Sequence, residues 1–191
     1  LSNEVPAGNY IFRDYGICPF AASRCEDGGD SINTSSFYTP TPQGYLGIQN
    51  CIRCRHFITG PAFIGGLLAI TNEILLQSND QSEICSKLQL KINEINQNID
   101  SIEKEEYIAN LKQQRFEGAS KRSNFETELR NFESEYETAA KKLDMLLCDI
   151  QAAYGHITRC HKIINSSALL ESNDTLSLIT TSNAELVLEM E

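Results

Sequence analysis

Four cysteines fall in the first third of the chain: Cys18, Cys25, Cys51 and Cys54. The second pair sits in "CIRCRHFITGPAF", residues 51–63, as a C-x-x-C motif flanked by Arg53, Arg55 and His56. Two cysteine pairs separated by a loop supply four thiolates, the ligand set of a structural zinc site. The two-residue spacing lets both sulfurs of the second pair reach one ion. The backbone amides of Arg53 and Arg55 lie where they can donate to those sulfurs. The first pair is wider than the usual knuckle, and His56 could replace one sulfur. Two other chemistries stay open: reduced thiols packed as small hydrophobes, and a disulfide or redox pair. The strand-then-helix setting of a redox C-x-x-C is missing.

The surrounding composition shows why a staple is needed. Residues 1–60 are rich in Gly, Pro, Ser, Thr and Asn and poor in large apolar side chains. Short strands or turns are expected at Tyr10-Ile11-Phe12 and Tyr45-Leu46-Gly47-Ile48, with Gly28-Gly29 and Pro40-Thr41-Pro42 as punctuation. Such a segment has too little core to fold alone, and metal binding supplies folding free energy directly.

The next hundred residues read differently. Positions 62–165 hold no proline. Phe125, Leu129, Phe132, Tyr136, Ala139, Leu143, Leu146, Ile150, Ala153, Ile157, Cys160 and Ile164 recur at alternating steps of four and three. That is a heptad seam, which no strand produces. Leu88, Ile92, Ile95, Ile99 and Ile102 step the same way upstream. Glu106 falls on that seam and Ile108 and Leu111 fall off it, so pairing weakens toward "RFEGASKRSNF". There Gly118, Ala119, Ser120 and Ser123 offer a C-cap, turn and N-cap.

The expected fold is therefore mainly α. A long antiparallel helical hairpin, about 62–114 and 121–164 with its tip near Gly118, carries a small Cys-rich, zinc-ribbon-like module of loops and short strands. A kink is conceivable at Ser78-Asn79-Asp80, whose side chains compete for their own backbone. The expected domains are 1–60, 61–166 and a tail, 167–191. In the tail "TLSLIT" alternates like a strand and "NAELVLEME" has a weak helical character.

Charge and motifs narrow the function. The net charge of -10 argues against a surface-wide attraction to DNA or acidic lipid. A local basic set remains, Arg13, Arg24, Arg53, Arg55 and His56, interleaved with Phe12, Tyr15, Phe20, Tyr45 and Phe57. It could grip a nucleic-acid backbone. Pairing with Asp14, Glu26, Asp27 and Asp30 is the favoured reading. His156 and His161 lack metal-pair spacing and read as solvated helix residues. Cys85 and Cys160 read as core residues on the seam. A Cys85–Cys148 bridge is conceivable but not expected in a reducing compartment. No phosphate loop, nucleophile elbow or dinucleotide fingerprint occurs, so no catalytic residue or small-molecule substrate is assigned.

The longest apolar run, 63–70, is broken by Gly65 and Gly66 and is too short to span a bilayer. Without a basic-then-apolar opening, a cytoplasmic chain with reduced thiols is expected. Seven cysteines, an odd number, also fit poorly with a complete disulfide framework. The missing initial Met is consistent with a piece of a longer protein.

"GICPFAASRCEDGG", then "CIRCRHFITGPAFIGGL", then heptad helices, resembles the Cys-rich region of the gamma-mobile-trio integrases. More loosely, it is similar to the tail that follows the catalytic domain of some transposon-borne tyrosine recombinases. Cys51, Cys54 and Phe57 match the C-x-x-C-x-x-Phe of that pattern, and Cys18 and Cys25 its upstream cysteines. The resemblance covers about residues 5–75 in motif. It implies a non-catalytic accessory region of a mobile-element protein that positions DNA or neighbouring protomers. The tyrosine nucleophile with its Arg and His companions is not found in this chain. Three readings follow: a zinc-stapled binding and assembly module, a DNA-contacting zinc module using Arg53 and Arg55, and a stand-alone structural interaction protein. The seam residues Leu129, Phe132, Tyr136, Leu143, Leu146, Ile150 and Ile157 would close the hairpin or join a second chain.

Overall fold

The computed structural model describes residues 10–32, 37–167, 177–180 and 185–187. Two long helices dominate it, α1 (Ile64–Leu111) and α2 (Ala119–Ser167). Short strands flank them: β1 (Ile11–Arg13), β2 (Gly16–Cys18), β3 (Ile58–Thr59), β4 (Ser177–Thr180) and β5 (Glu185–Val187). Among the described residues no helix is long and apolar enough to cross a membrane.

The chain divides into two compact units, and the division cuts both helices. One unit is Leu1–Gln77 with Met145–Glu191; the other is Ser78–Asp144. The first stretch of α1 and the last stretch of α2 thus belong with the Cys-rich loops.

The Ser78–Asp144 unit is an antiparallel helix pair. Ile92, Ile95 and Ile102 of α1 and Ala139 of α2 are buried, and Leu129, Phe132, Tyr136 and Leu143 are half-buried. Gln81 is a polar residue on the seam, and its amide donates to the Ala139 carbonyl at 3.2 Å. The α1 helix runs unbroken through Ser78-Asn79-Asp80. Near the turn, Arg122 bonds Glu103 at 2.9 Å, Glu106 at 3.0 Å and Glu126 at 2.9 Å.

The turn corrects one expectation. The C-terminal cap of α1 is not Gly118. Gln113 takes the left-handed conformation, with φ 55°. The Gln114 amide then reaches the Ala109 carbonyl at 2.9 Å and the Gln113 amide reaches Asn110 at 3.1 Å. These two bonds are the Schellman pattern, built here without glycine. Gly118 instead opens α2, its carbonyl accepting the Arg122 amide at 3.0 Å.

The other unit has the larger core. Leu67, Ile70 and Ile74 of α1 meet Leu146, Ala153, Ile157 and Cys160 of α2, with Tyr15, Ile52 and Phe57 from the loops. Ile52 and Phe57 are almost wholly buried. Each such side chain contributes about 1.5–3 kcal/mol. At the end of the α2 seam Ile163 packs against this core while Ile164 is exposed. The contact thus falls one residue before the expected seam position.

Strands β1 and β2 form a tight hairpin in which Arg13 pairs with Gly16 and Ile11 with Cys18. Gly16 has φ 155°, and a Cβ there would strike the Phe57 ring and the Ile58 carbonyl. Glycine is therefore required at this position. Ile17 pairs with Ile58 of β3, and β3 then pairs with β4, Ile58 opposite Thr180. The β4 and β5 strands are also antiparallel, with Leu178 opposite Leu186. The tail is thus strand where described, including Glu185–Val187, for which a weak helix was the expectation. Tyr45–Ile48 is a turn rather than a strand. Gly47, at φ 70°, sends its amide back to the Gly44 carbonyl at 2.9 Å.

The stretch "ITGPAFIGG" joins sheet to helix. After Gly60, Pro61 opens a single 3-10 turn, Pro61–Phe63, that runs into α1. Proline suits this first turn because its missing N–H had no partner there. Gly66 then lies against the β1–β2 turn, where a Cβ would collide with the Asp14 carbonyl.

Candidate functional site

The four early cysteines come from three separate segments. Cys18 ends β2, and Cys25 begins the 3-10 turn Cys25–Asp27. Cys51 begins the turn Cys51–Arg53, and Cys54 closes it, its amide donating to the Cys51 carbonyl at 3.0 Å. All four line one small cavity of about 20 Å³, together with Arg13 and His56. That is room for about one water-sized occupant. Among the described residues, no three Cys, His, Asp or Glu side chains are already gathered tightly enough to hold an ion.

The surroundings of the sulfurs are specific. Ala21 and Ala22 both take positive φ, 48° and 65°. This conformation costs an ordinary residue roughly 1–2 kcal/mol. It directs the Ala22 amide at the Cys18 sulfur, 3.5 Å away. On the other wall Arg13 lies close enough to Cys51 to bear on its ionisation, and its buried Nε has no hydrogen-bond partner among the described residues. Burial pushes the Cys51 thiol up; Arg13 opposes this, and Cys18 and Cys54 add to it. Burial likewise raises Cys25, with Cys54 and Cys18 adding. Ionising one sulfur therefore hinders the next. A divalent cation would reverse that sign and hold several thiolates together.

Beside the cavity the basic residues converge on a single acid. Asp27 pairs with Arg24, with Arg55 at 3.2 Å and with His56 at 3.1 Å. The Arg24 hydrogen bond, then that of His56, holds the Asp27 carboxyl well below the usual carboxylate range. Arg55 also donates to the Asp27 carbonyl at 2.7 Å and stacks 3.4 Å from the Tyr38 ring centre. Arg24 lies over Phe20. Of the acids expected to neutralise the patch, Asp27 is the one these side chains reach.

Arg53 departs from that pattern. Its nearest carboxylate is Asp149 on α2, at 3.8 Å. Asp149 is fully buried and accepts the Tyr45 amide and the Asn50 side-chain amide, each at 2.7 Å. His156, two helical turns on, is also fully buried, which corrects its reading as a solvated residue. Its Nε2 donates to the Ile52 carbonyl at 3.0 Å, its Nδ1 accepts from Arg159 at 3.3 Å, and its ring meets Phe57 edge-on. Burial holds its pKa below the ordinary imidazole value; Arg159 adds to the shift and the Ile52 bond opposes it. The lowering keeps the ring neutral.

No protein-family model, characterised protein or solved structure matches this chain.

Asp149 and His156 are the residues that sequence reasoning missed. Their spacing of seven was the available signal, because it places both on one helix face beside the seam. On the seam itself, Leu146 and Ile157 are buried and Ile150 is half-buried in this unit. Cys85 and Cys160 are buried, and Cys85 and Cys148 both carry free thiols.

Proposed function

We propose that this chain is a non-catalytic binding and assembly module, stapled by one structural zinc ion held by Cys18, Cys25, Cys51 and Cys54. One observation carries the reading: three loop segments remote in sequence bring these four side chains to the same small cavity. Two further features support it. The Ala22 amide faces the Cys18 sulfur, and a buried Arg13 Nε without a hydrogen-bond partner among the described residues lies beside the site. Both suit sulfurs that carry negative charge, as metal-bound thiolates do. The ion's role is folding free energy for a segment with little core of its own.

The assembly half of the reading rests on apolar side chains that the helices leave outside the core. Leu68 and Leu75 on α1, and Leu147 and Tyr154 on α2, are each seven residues apart and exposed. The seam residues Leu146, Ile150 and Ile157 are engaged within the chain, so self-association would use this outer face instead. The proposal that the module belongs to a cytoplasmic, integrase-associated mobile-element protein rests on the resemblance of Cys51, Cys54 and Phe57, with the upstream cysteines, to gamma-mobile-trio integrases. Direct DNA contact through Arg53 and Arg55 is less supported, because Arg55 is held by Asp27 and Tyr38 and Arg53 faces Asp149.

Elemental analysis of freshly purified protein tests the zinc assignment, run beside the solution mass. One zinc per chain, lost together with the fold on chelation, is the expected result. Metal-free protein with the same hydrogen-exchange protection in β1–β3 would sink it.

A further inference from the structure

A second cavity, of about 270 Å³, lies on the other side of the Cys51–Cys54 segment and belongs to neither the cysteine cluster nor the helix seam. Three guanidinium-bearing residues line it: Arg53 and Arg55 from the loop and Arg159 from α2, with His156 beside them. Among the described residues Asp30 is the one acidic side chain in its wall. Arg55 is neutralised by Asp27, and Arg53 has only the long 3.8 Å approach to Asp149. Arg159 has no carboxylate partner among the described residues. Among the described residues its buried Nε has no hydrogen-bond acceptor, and one of its terminal nitrogens rests on the His156 ring.

A guanidinium whose buried Nε finds no acceptor is costly, and Arg159, with the loosely paired Arg53 beside it, asks for an acceptor with several oxygens. We propose that this cavity binds a phosphate-sized oxyanion, free or as the terminal group of a small phosphomonoester, through Arg159 and Arg53, with Arg55 at the rim. Arginine suits this task because its planar fork donates two parallel hydrogen bonds to one oxyanion. The volume admits a phosphate with a small substituent. The chain's net charge of -10 repels a long polyanion but little affects a small ion screened at physiological salt. The site goes beyond the zinc and assembly reading and does not depend on it, since none of the four cysteines lines it.

The test is an NMR titration of the full chain with inorganic phosphate at constant ionic strength, following the arginine Nε–Hε resonances. Saturable movement of the Arg159 resonance, with weaker movement for chloride, is the expected result. Arg159→Gln should weaken binding by about tenfold or more, and Arg159→Lys should recover only part of it. The wild-type resonance serves as the readout even if a variant fails to fold. A linear, non-saturating response, or one unchanged in Arg159→Gln, would overturn the site. Glycerol phosphate should compete with phosphate. A single-stranded oligonucleotide lacking a terminal phosphate should not, and tighter binding of that probe at the same resonances would overturn the small-ligand assignment.

Discussion

Asp149 and Asn50 are 99 residues apart in the chain, and the buried carboxylate of the first accepts the side-chain amide of the second at 2.7 Å. With the Tyr45 amide on its other oxygen, Asp149 ties the loop over residues 45–50 to α2. Loop conformation here is set by one side chain on the helix rather than by the loop's own residues.

Replacing Asp149 by Ala should therefore cost about 3 kcal/mol, because a buried and a half-buried donor lose their acceptor at once. Asp149→Asn keeps the shape and one acceptor oxygen and should cost less. Urea denaturation of both variants checks the order. Equal stability of Asp149→Ala and wild type would show that water replaces the carboxylate without loss.

The paired glycines of "IGGL" make a sharper contrast. A methyl at Gly66 meets the Asp14 carbonyl, a backbone atom that cannot swing aside, whereas nothing lies within 4 Å of one at Gly65. Gly66→Ala should destabilise by about 1–3 kcal/mol through overpacking. Gly65→Ala should be neutral or stabilising by up to about 1 kcal/mol, through helix propensity alone. Thermal melts of the two single variants distinguish local packing from a general dislike of alanine at this junction.

His156 makes stability depend on pH. Burial lowers its folded pKa from the ordinary 6.5, so below that value the unfolded chain binds the proton more readily. Stability from this group is complete above about pH 6.5. It declines as the pH falls below that and levels off beneath the folded pKa. Denaturation midpoints taken between pH 8 and pH 5 should fall on the acid side. His156→Gln, which can still donate to Ile52, should flatten the slope. An unchanged slope would assign the acid sensitivity to other groups.

At the helix turn, Gln113 holds a left-handed conformation that glycine adopts freely. Gln113→Gly should leave stability unchanged or raise it by about 0.5–1 kcal/mol, as seen by urea denaturation. A clear loss would mean that the Gln113 side chain has a role beyond capping.

Metal removal tests the cysteine cluster from a different side. Cys51→Ser should abolish bound zinc and expose β1 and β2 to hydrogen exchange, while the Ser78–Asp144 helix pair keeps its protection. That pair has its own core at Ile92, Ile95, Ile102 and Ala139. Uniform loss of protection in both units would contradict this independence.

The linear order of residues was enough to determine the helices. Apolar side chains at steps of three and four make a face that only an α-helix aligns, so α1, α2 and the burial of Leu146, Ile157, Cys85 and Cys160 follow from spacing alone. The cysteines also declared themselves by type. Only the tertiary structure decided what a helix residue beside the seam would meet. Asp149 and His156 look like ordinary polar positions until the loops carrying Asn50 and Ile52 fold over them, and burial then turns them into fastenings. The same holds for Arg53, Arg55 and Arg159. Their separation in sequence hides a shared cavity, because nearness across more than a hundred residues is set by packing, which no local pattern encodes.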